Sequence, residues 1–480
     1  MNPQDSTAPV PEAAETIEAQ IAQWRQYVLR RQAISPADVD ELEDHLRAQV
    51  DDLTASGLDA SEAFLVAIRR LGDVDAMSSE YAREHSDRMW KQLALTPAAD
   101  APAARAWVEP VVVIAAGLGA GIALKIALAV AGLTTHGNPD DAAAAAVLRT
   151  LSLYVAPFLI AYLGWKRRLP LRAILGVTAG VAGIALALAL LPFTRPGGAE
   201  GYATPFGDTS VLAALHAPVI LWALVGVAYM GGRILSGDRR MDFVRFTGEF
   251  VVYYALLALG GMVLLGIAFA MFSMVGFGTQ VMEAYVDWIL PICVPGAVLI
   301  AAWLVEAKQH VIENIAPVLT RVFTPLTLIM LLTLLAVIGT AGALVEVDRD
   351  LLILMDAVLI LVLGLSLYAV SARDPLARPG WFDGLQLATI AAAMAVDAIM
   401  LTAMLVRIAE FGFSPNKTAA LGLNLLVLVH LAGHAWLTIL AFRGRTRFAE
   451  IARWHTRYLP LYAAWAVVVV VAFPLIFRGA

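Results

Sequence analysis

Eleven stretches of this chain are apolar for about twenty residues or more, and no other feature narrows so far what it can fold into. They run over residues 107–133, 147–165, 173–193, 209–231, 247–277, 285–305, 322–343, 351–371, 385–406, 418–442 and 458–477. About 20 such residues in a helix cross the hydrocarbon of a bilayer. In that medium every backbone N–H and C=O must be satisfied within the segment, which selects the α-helix. Composition agrees, because 60% of the 480 residues are hydrophobic and 15% are charged, against roughly a quarter charged in soluble domains. The expectation is an all-α polytopic membrane protein with about eleven transmembrane helices. Two segments invite irregularity: 247–277 is overlong and is expected to tilt or break at Gly260 and Gly261, and Pro291, Pro295 and Gly296 remove backbone donors or packing near mid-span.

The first 106 residues differ in kind. They hold 19 Asp and Glu against 10 Lys and Arg, a net of −9, while the remaining 374 carry 21 acids and 24 bases, a net of +3. An acidic head excludes nucleic acid as a partner, since phosphate binding needs clustered Lys and Arg. Residues 1–15 read as a disordered tail, 16–95 as a small soluble helical bundle, and 96–106 as an Ala/Pro linker to the membrane part, 107–480. Ile17, Ile21, Trp24 and Val28 recur at helical spacing. A second helix opens at Ser35 and Pro36 and carries the stripe Val39, Leu42, Leu46, Val50 and Leu53, with Gly57 as its stop. A third begins at Asp59 and Glu62, buries Phe64, Ala67, Ile68 and Leu71, and stops at Gly72; a fourth runs from Asp73 toward Trp90. The opening residues lack both a basic start and an apolar core, so no secretory leader is expected.

The run "ELEDHLRAQVDDLTASGLDASEAFLVAIRRLGD" resembles the permease-prefix, or HAAS-type, helical domain that precedes membrane segments in bacterial proteins. The resemblance spans about residues 16–85 and implies regulation or docking, with a protein partner or self-association through residues 16–95. It brings no catalytic residues with it. The segments "WLVEAKQHVIENIAPVLTRVFTPL", "YAVSARDPLARPGWFD" and "RIAEFGFSPNK" look like a family of multi-span bacterial inner-membrane proteins filed as a domain of unknown function. That likeness implies location and topology, and no activity.

Loop charge orients the spans. With the N-terminus in the cytoplasm, the inside loops hold 17 Lys and Arg and the outside loops five, or six with Arg149 at a span edge. This asymmetry is the positive-inside pattern. The expected location is the bacterial cytoplasmic membrane, with the lipid bilayer itself as a partner. The basic run 443–458, with Phe448, Ile451 and Trp454 interleaved, reads as an amphipathic helix on an anionic leaflet.

Ionisable side chains within spans are costly and ask for a reason. They are Lys125, His216, Asp356, Asp397, His430 and His434. One reading joins them in a polar cavity in which Lys125 pairs with Asp356 or Asp397 and an Asp–His pair moves protons; the other has them fix helix packing. His430 and His434 lie four apart on one helix face, where a metal or haem would need a third ligand and only Asp397 sits at similar depth. Hydrogen-bonded histidines explain the spacing without a metal, and no metal or cofactor is assigned. "GLGAG" places Gly117 and Gly121 at the spacing of close helix packing, with no phosphate loop. The single cysteine, Cys293, excludes an intramolecular disulfide and Cys-based clusters. Three functions stay open: a transporter-like or accessory membrane protein with a cytoplasmic docking domain, a membrane-embedded enzyme acting on a lipid-linked or periplasmic substrate, and a non-transporting sensor or scaffold.

Overall fold

The computed structural model describes residues 36–71, 108–137, 141–193, 207–307, 315–341, 349–373 and 379–477, together with Ile21 and Arg25. It divides into two compact units, Met1–Ala106 and Trp107–Ala480. Every regular element among the described residues is helical.

The first unit contains α1 (Pro36–Ala55) and α2 (Ala60–Leu71). Leu46, Val50 and Leu53 of α1 close on Ala63, Phe64 and Ala67 of α2, with Ile21 in the same small core. The helix stop is physical. Gly57 has φ +98°, and its N–H reaches Thr54 O at 3.0 Å while Leu58 N–H reaches Leu53 O at 3.3 Å, the bonding pattern of a glycine C-cap. Asp44, Asp51 and Asp52 face solvent. Glu43 does not stand free: Arg47 holds it at 2.8 Å and Arg25 at 2.5 Å, and these bonds keep its carboxyl below the usual carboxylate range. The helices expected before α1 and after Gly72, and the side chains of Val39, Leu42 and Leu71, lie outside the described residues, apart from Ile21.

Among its described residues the second unit has eleven helices long and apolar enough to cross a membrane, which makes the chain a multi-pass membrane protein. They are α3 (Val108–Val130), α4 (Asp141–Lys166), α5 (Leu171–Leu190), α6 (Asp208–Tyr229), α7 (Gly237–Met274), α8 (Gly278–Ala307), α9 (Ile315–Ala341), α10 (Arg349–Ser371), α11 (Trp381–Phe411), α12 (Pro415–Phe442) and α13 (Phe448–Ile476). One buried cluster joins α3, α4, α6, α7 and α8 around Leu159, Leu163, Val225, Phe246 and Leu299. Another joins α9 to α12 around Leu331, Leu359, Ile390, Val396 and Leu431. Helix α13 ties the two, packing on α6 through Ala466 and Val470 and on α12 through Tyr458 and Tyr462. Exposed leucines, isoleucines and valines cover the outside of these helices, the surface that lipid solvates.

Expected irregularities took other forms. Helix α7 runs unbroken for 38 residues through Gly260 and Gly261, about 57 Å at 1.5 Å per residue, so it exceeds the hydrocarbon and its first turns carry the charged residues Asp238, Arg239, Arg240 and Asp242. In α8 the disturbance is a wide π turn at Tyr285–Ile289, and Pro291 and Pro295 follow inside continuous helix. A π turn inserts one extra residue and loosens the ladder just where prolines would strain it. Gly117 and Gly121 act as expected. A Cβ at Gly121 would meet Ile292 Cα at 2.7 Å, and one at Gly117 would meet Gly296 Cα at 3.2 Å, so α3 and α8 touch backbone to backbone.

The run 443–458 is not a helix on the bilayer surface. Only its first five residues form a turn, and from Phe448 the chain is already α13. Phe448, Ile451, His455 and Thr456 are buried in the protein; their one-sided spacing meets neighbouring helices in place of lipid headgroups.

Candidate functional site

Three membrane helices bring buried polar groups together between α10, α11 and α12. Asp397 stands midway along α11 and is 0% exposed. Neither of its carboxylate oxygens has a hydrogen-bond partner among the described residues. Asp356 of α10 is near enough to interact with it electrostatically, and the Asn424 amide of α12 lies beside Asp356. Yet Asp356 Oδ1 and Asn424 Nδ2 are also buried without a bond in good geometry. Each such group is ordinarily satisfied, and a bare carboxylate in a low-dielectric interior costs several kcal/mol unless a positive charge joins it. Two carboxyls and an amide, which can present either its oxygen or its nitrogen, form a site able to hold a proton or a small cation.

A second arrangement lies between α12 and α13. His430, His434 and His455 are all buried. His455 Nδ1 is 2.8 Å from His430 Nε2, and His455 Nε2 is 3.1 Å from His434 Nδ1. His430 Nδ1 is in turn 3.0 Å from the Tyr462 hydroxyl. Packing fixes the rings: His430 stacks on Tyr458 with centroids 4.4 Å apart, Trp454 Nε1 donates to His430 O at 2.9 Å, and Tyr458 donates to Leu426 O at 2.9 Å. Gly433 makes room for the indole, since a Cβ there would lie 2.2 Å from Trp454. The imidazoles meet in a line, nitrogen to nitrogen, and do not converge on a point. Among the described residues no three His, Cys, Asp or Glu side chains are arranged to hold a metal ion.

The partner of the two histidines is therefore His455 of α13, while Asp397 interacts electrostatically with Asp356. His455 was legible in principle. His455, Tyr458 and Tyr462 recur at helical spacing from the buried Ile451, but Arg443, Arg445, Arg447, Arg453 and Arg457 raise the local polarity and give the run the look of an amphipathic surface helix. Asn424 and Tyr462 carry no ordinary charge at neutral pH, so a search for ionisable groups passes over them.

The other two intramembrane residues stand apart from both arrangements. Lys125 of α3 lies over the Trp288 ring of α8 at 4.6 Å, beside Asp287, whose carboxylate accepts from Thr135 N at 3.0 Å and Thr135 Oγ1 at 2.5 Å. His216 of α6 bonds through Nδ1 to Leu212 O of its own helix at 2.8 Å. Further ion pairs stitch helix ends. Glu306 of α8 meets Arg167 at 2.7 Å and Lys166 at 3.6 Å, and Lys166 also reaches Glu109 of α3. Arg373 pairs with Asp383 across the α10–α11 connection and lies over the Phe448 ring at 4.4 Å, so these ends of α10, α11 and α13 meet. Arg407 and Lys417 close the α11–α12 turn, where Lys417 Nζ caps Gly412 O at 3.1 Å and Arg407 O at 3.3 Å. Comparison with protein families, with curated proteins and with solved structures gives no match to this chain.

Proposed function

We propose that this chain is a proton-coupled, transporter-like protein of the bacterial cytoplasmic membrane, with residues 16–95 as a cytoplasmic docking or regulatory module. Asp397 carries the reading. It is fully buried at the middle of a 31-residue apolar helix, both oxygens lack a hydrogen-bond partner among the described residues, and a second carboxyl, Asp356, which has the Asn424 amide beside it, interacts with it. Ionisable groups at such depth mark ion paths and proton relays.

The orientation rests on 17 basic residues in alternate loops against five or six in the others, together with eleven spans, an odd number that puts the two ends on opposite sides. The docking role rests on the permease-prefix resemblance and on a soluble unit with its own small core and an acidic face. Such a face suits a basic partner surface or a basic patch on another copy.

The test uses the full chain reconstituted in liposomes with a trapped pH dye, driven by a potassium diffusion potential through valinomycin. Wild type moves protons faster than empty liposomes, and Asp397→Asn falls to the empty-liposome rate while eluting as the same particle. Equal rates in wild type and Asp397→Asn overturn the reading.

A further inference from the structure

We infer that His434, His455, His430 and Tyr462 form a proton wire that leads from the arginine-rich end of the helices to the Asp356–Asp397–Asn424 site. The inference rests on the proton-coupled reading and names the path by which that site exchanges protons.

The hydrogen-bond arithmetic is the first argument. Three imidazoles linked nitrogen to nitrogen need one proton per link, and three neutral rings supply it in either of two polarities. In one, Tyr462 donates to His430 Nδ1, His430 Nε2–H to His455 Nδ1, and His455 Nε2–H to His434 Nδ1. In the other, every donor and acceptor is exchanged, and the Tyr462 hydroxyl proton points away from His430. The distances of 2.8, 3.0 and 3.1 Å allow both. Starting from the second polarity, a proton that binds His434 Nε2 displaces the His434 Nδ1 proton to His455 Nε2. The His455 Nδ1 proton then passes to His430 Nε2, the His430 Nδ1 proton to Tyr462 Oη, and the original hydroxyl proton leaves toward the acids. One proton enters and one leaves, no ring stays charged, and the wire is left in the first polarity. It resets when a proton passes back or the rings turn over.

Depth is the second argument. Helix α12 ends, and α11 and α13 begin, at the arginine-rich end where Arg373, Asp383 and Phe448 meet. Counted from that end at ~1.5 Å per residue, His455 lies ~11 Å in, His434 ~12 Å, His430 ~18 Å and Tyr462 ~21 Å. By the same count Asp356, Asp397 and Asn424 lie ~22 to 27 Å in. His434 and His455 stand level, and from them the bonds run deeper through His430 to Tyr462. Tyr462 also packs on the buried cluster that contains Met355 and Val396, the chain neighbours of Asp356 and Asp397.

The third argument is rigidity. Tyr458 and Trp454 clamp His430, and Arg240 of α7 bonds Thr456 O at 3.0 Å, fixing the turn that carries His455. Both nitrogens of His430 and of His455 are bonded, so the chain of hydrogen bonds has no break between His434 and Tyr462.

The experiment compares wild type, His455→Gln and Tyr462→Phe in the liposome assay. Glutamine can bond to both neighbouring rings, so it keeps the packing, but its amide does not pass a proton on. Both variants are expected to move protons at least tenfold more slowly than wild type while unfolding at the same temperature. Unchanged rates overturn the wire and leave the carrier reading standing; a wild type that moves no protons sinks the carrier reading. Solid-state nitrogen-15 NMR of histidine-labelled wild type judges the wire by itself, including when a variant does not fold. Exchange between two tautomers at His455 supports it, and a single tautomer under all conditions overturns it.

Discussion

Replacing Gly121 with alanine should push apart two helices that meet without side chains between them. The added methyl would sit 2.7 Å from Ile292 Cα and 3.1 Å from Ile292 O, both backbone atoms that cannot rotate away. Ordinary contact between carbon atoms is about 3.5 to 4.0 Å, so α3 and α8 must separate locally by roughly 1 Å. A gap of that size forfeits a quarter to a half of each contact energy along the seam, and forced overpacking costs about 1 to 3 kcal/mol. Alanine returns up to ~1 kcal/mol through helix propensity, leaving a net loss of about 0 to 2 kcal/mol. Gly176 in α5 is the control, because a Cβ there meets nothing within 4 Å. Unfolding of the purified chain by SDS titration, followed by tryptophan fluorescence, measures both variants. Gly121→Ala should be less stable than wild type and Gly176→Ala equal or more stable. If the two behave alike, the backbone contact does not hold these helices together.

Other perturbations test other contacts. Gly433→Ala should drive the Trp454 indole off His430 O, lowering stability by about 1 to 3 kcal/mol and shifting tryptophan emission, whereas Gly384→Ala, whose nearest neighbour would lie at 4.0 Å, should leave emission unchanged. Arg373→Leu removes the ion-pair partner of Asp383, which is 5% exposed, and should cost about 3 to 5 kcal/mol; Arg373→Leu with Asp383→Leu should recover most of it, read by the same titration. Glu43 supplies a pH test of the first unit. Its folded carboxyl titrates below its ordinary value of 4.5 because of Arg47 and Arg25, so its stabilisation is complete above that value and is lost as pH falls through the lower folded one. With both arginines about two-fifths exposed, the effect is at most about 1 kcal/mol. Hydrogen exchange of α1 in the full chain should quicken as pH drops below about 4.5, after correction for the intrinsic rate, and Glu43→Gln should abolish that step.

Much of the architecture could be read from local pattern. Eleven apolar stretches, the helix start at Pro36 and stop at Gly57, and the Gly117–Gly121 spacing each depend on residues near one another in sequence, and backbone hydrogen bonding in lipid leaves such stretches one choice. The ends of spans were less legible: α13 begins ten residues before the hydrophobic signal at 458, because buried Phe448, Ile451 and His455 alternate with exposed arginines.

The sequence by itself determined the helices, their number and which residues would be expensive to bury. Only the tertiary structure decided who meets whom. Six ionisable groups of similar cost divide four ways: Lys125 onto Trp288, His216 onto its own helix, Asp397 with Asp356, which has Asn424 beside it, and His430 and His434 onto His455. Helical periodicity says which face of one helix a residue occupies. It is silent on which other helix that face is turned toward, because lipid tails and neighbouring helices are equally apolar and the choice is made by shape and hydrogen bonding at the seams.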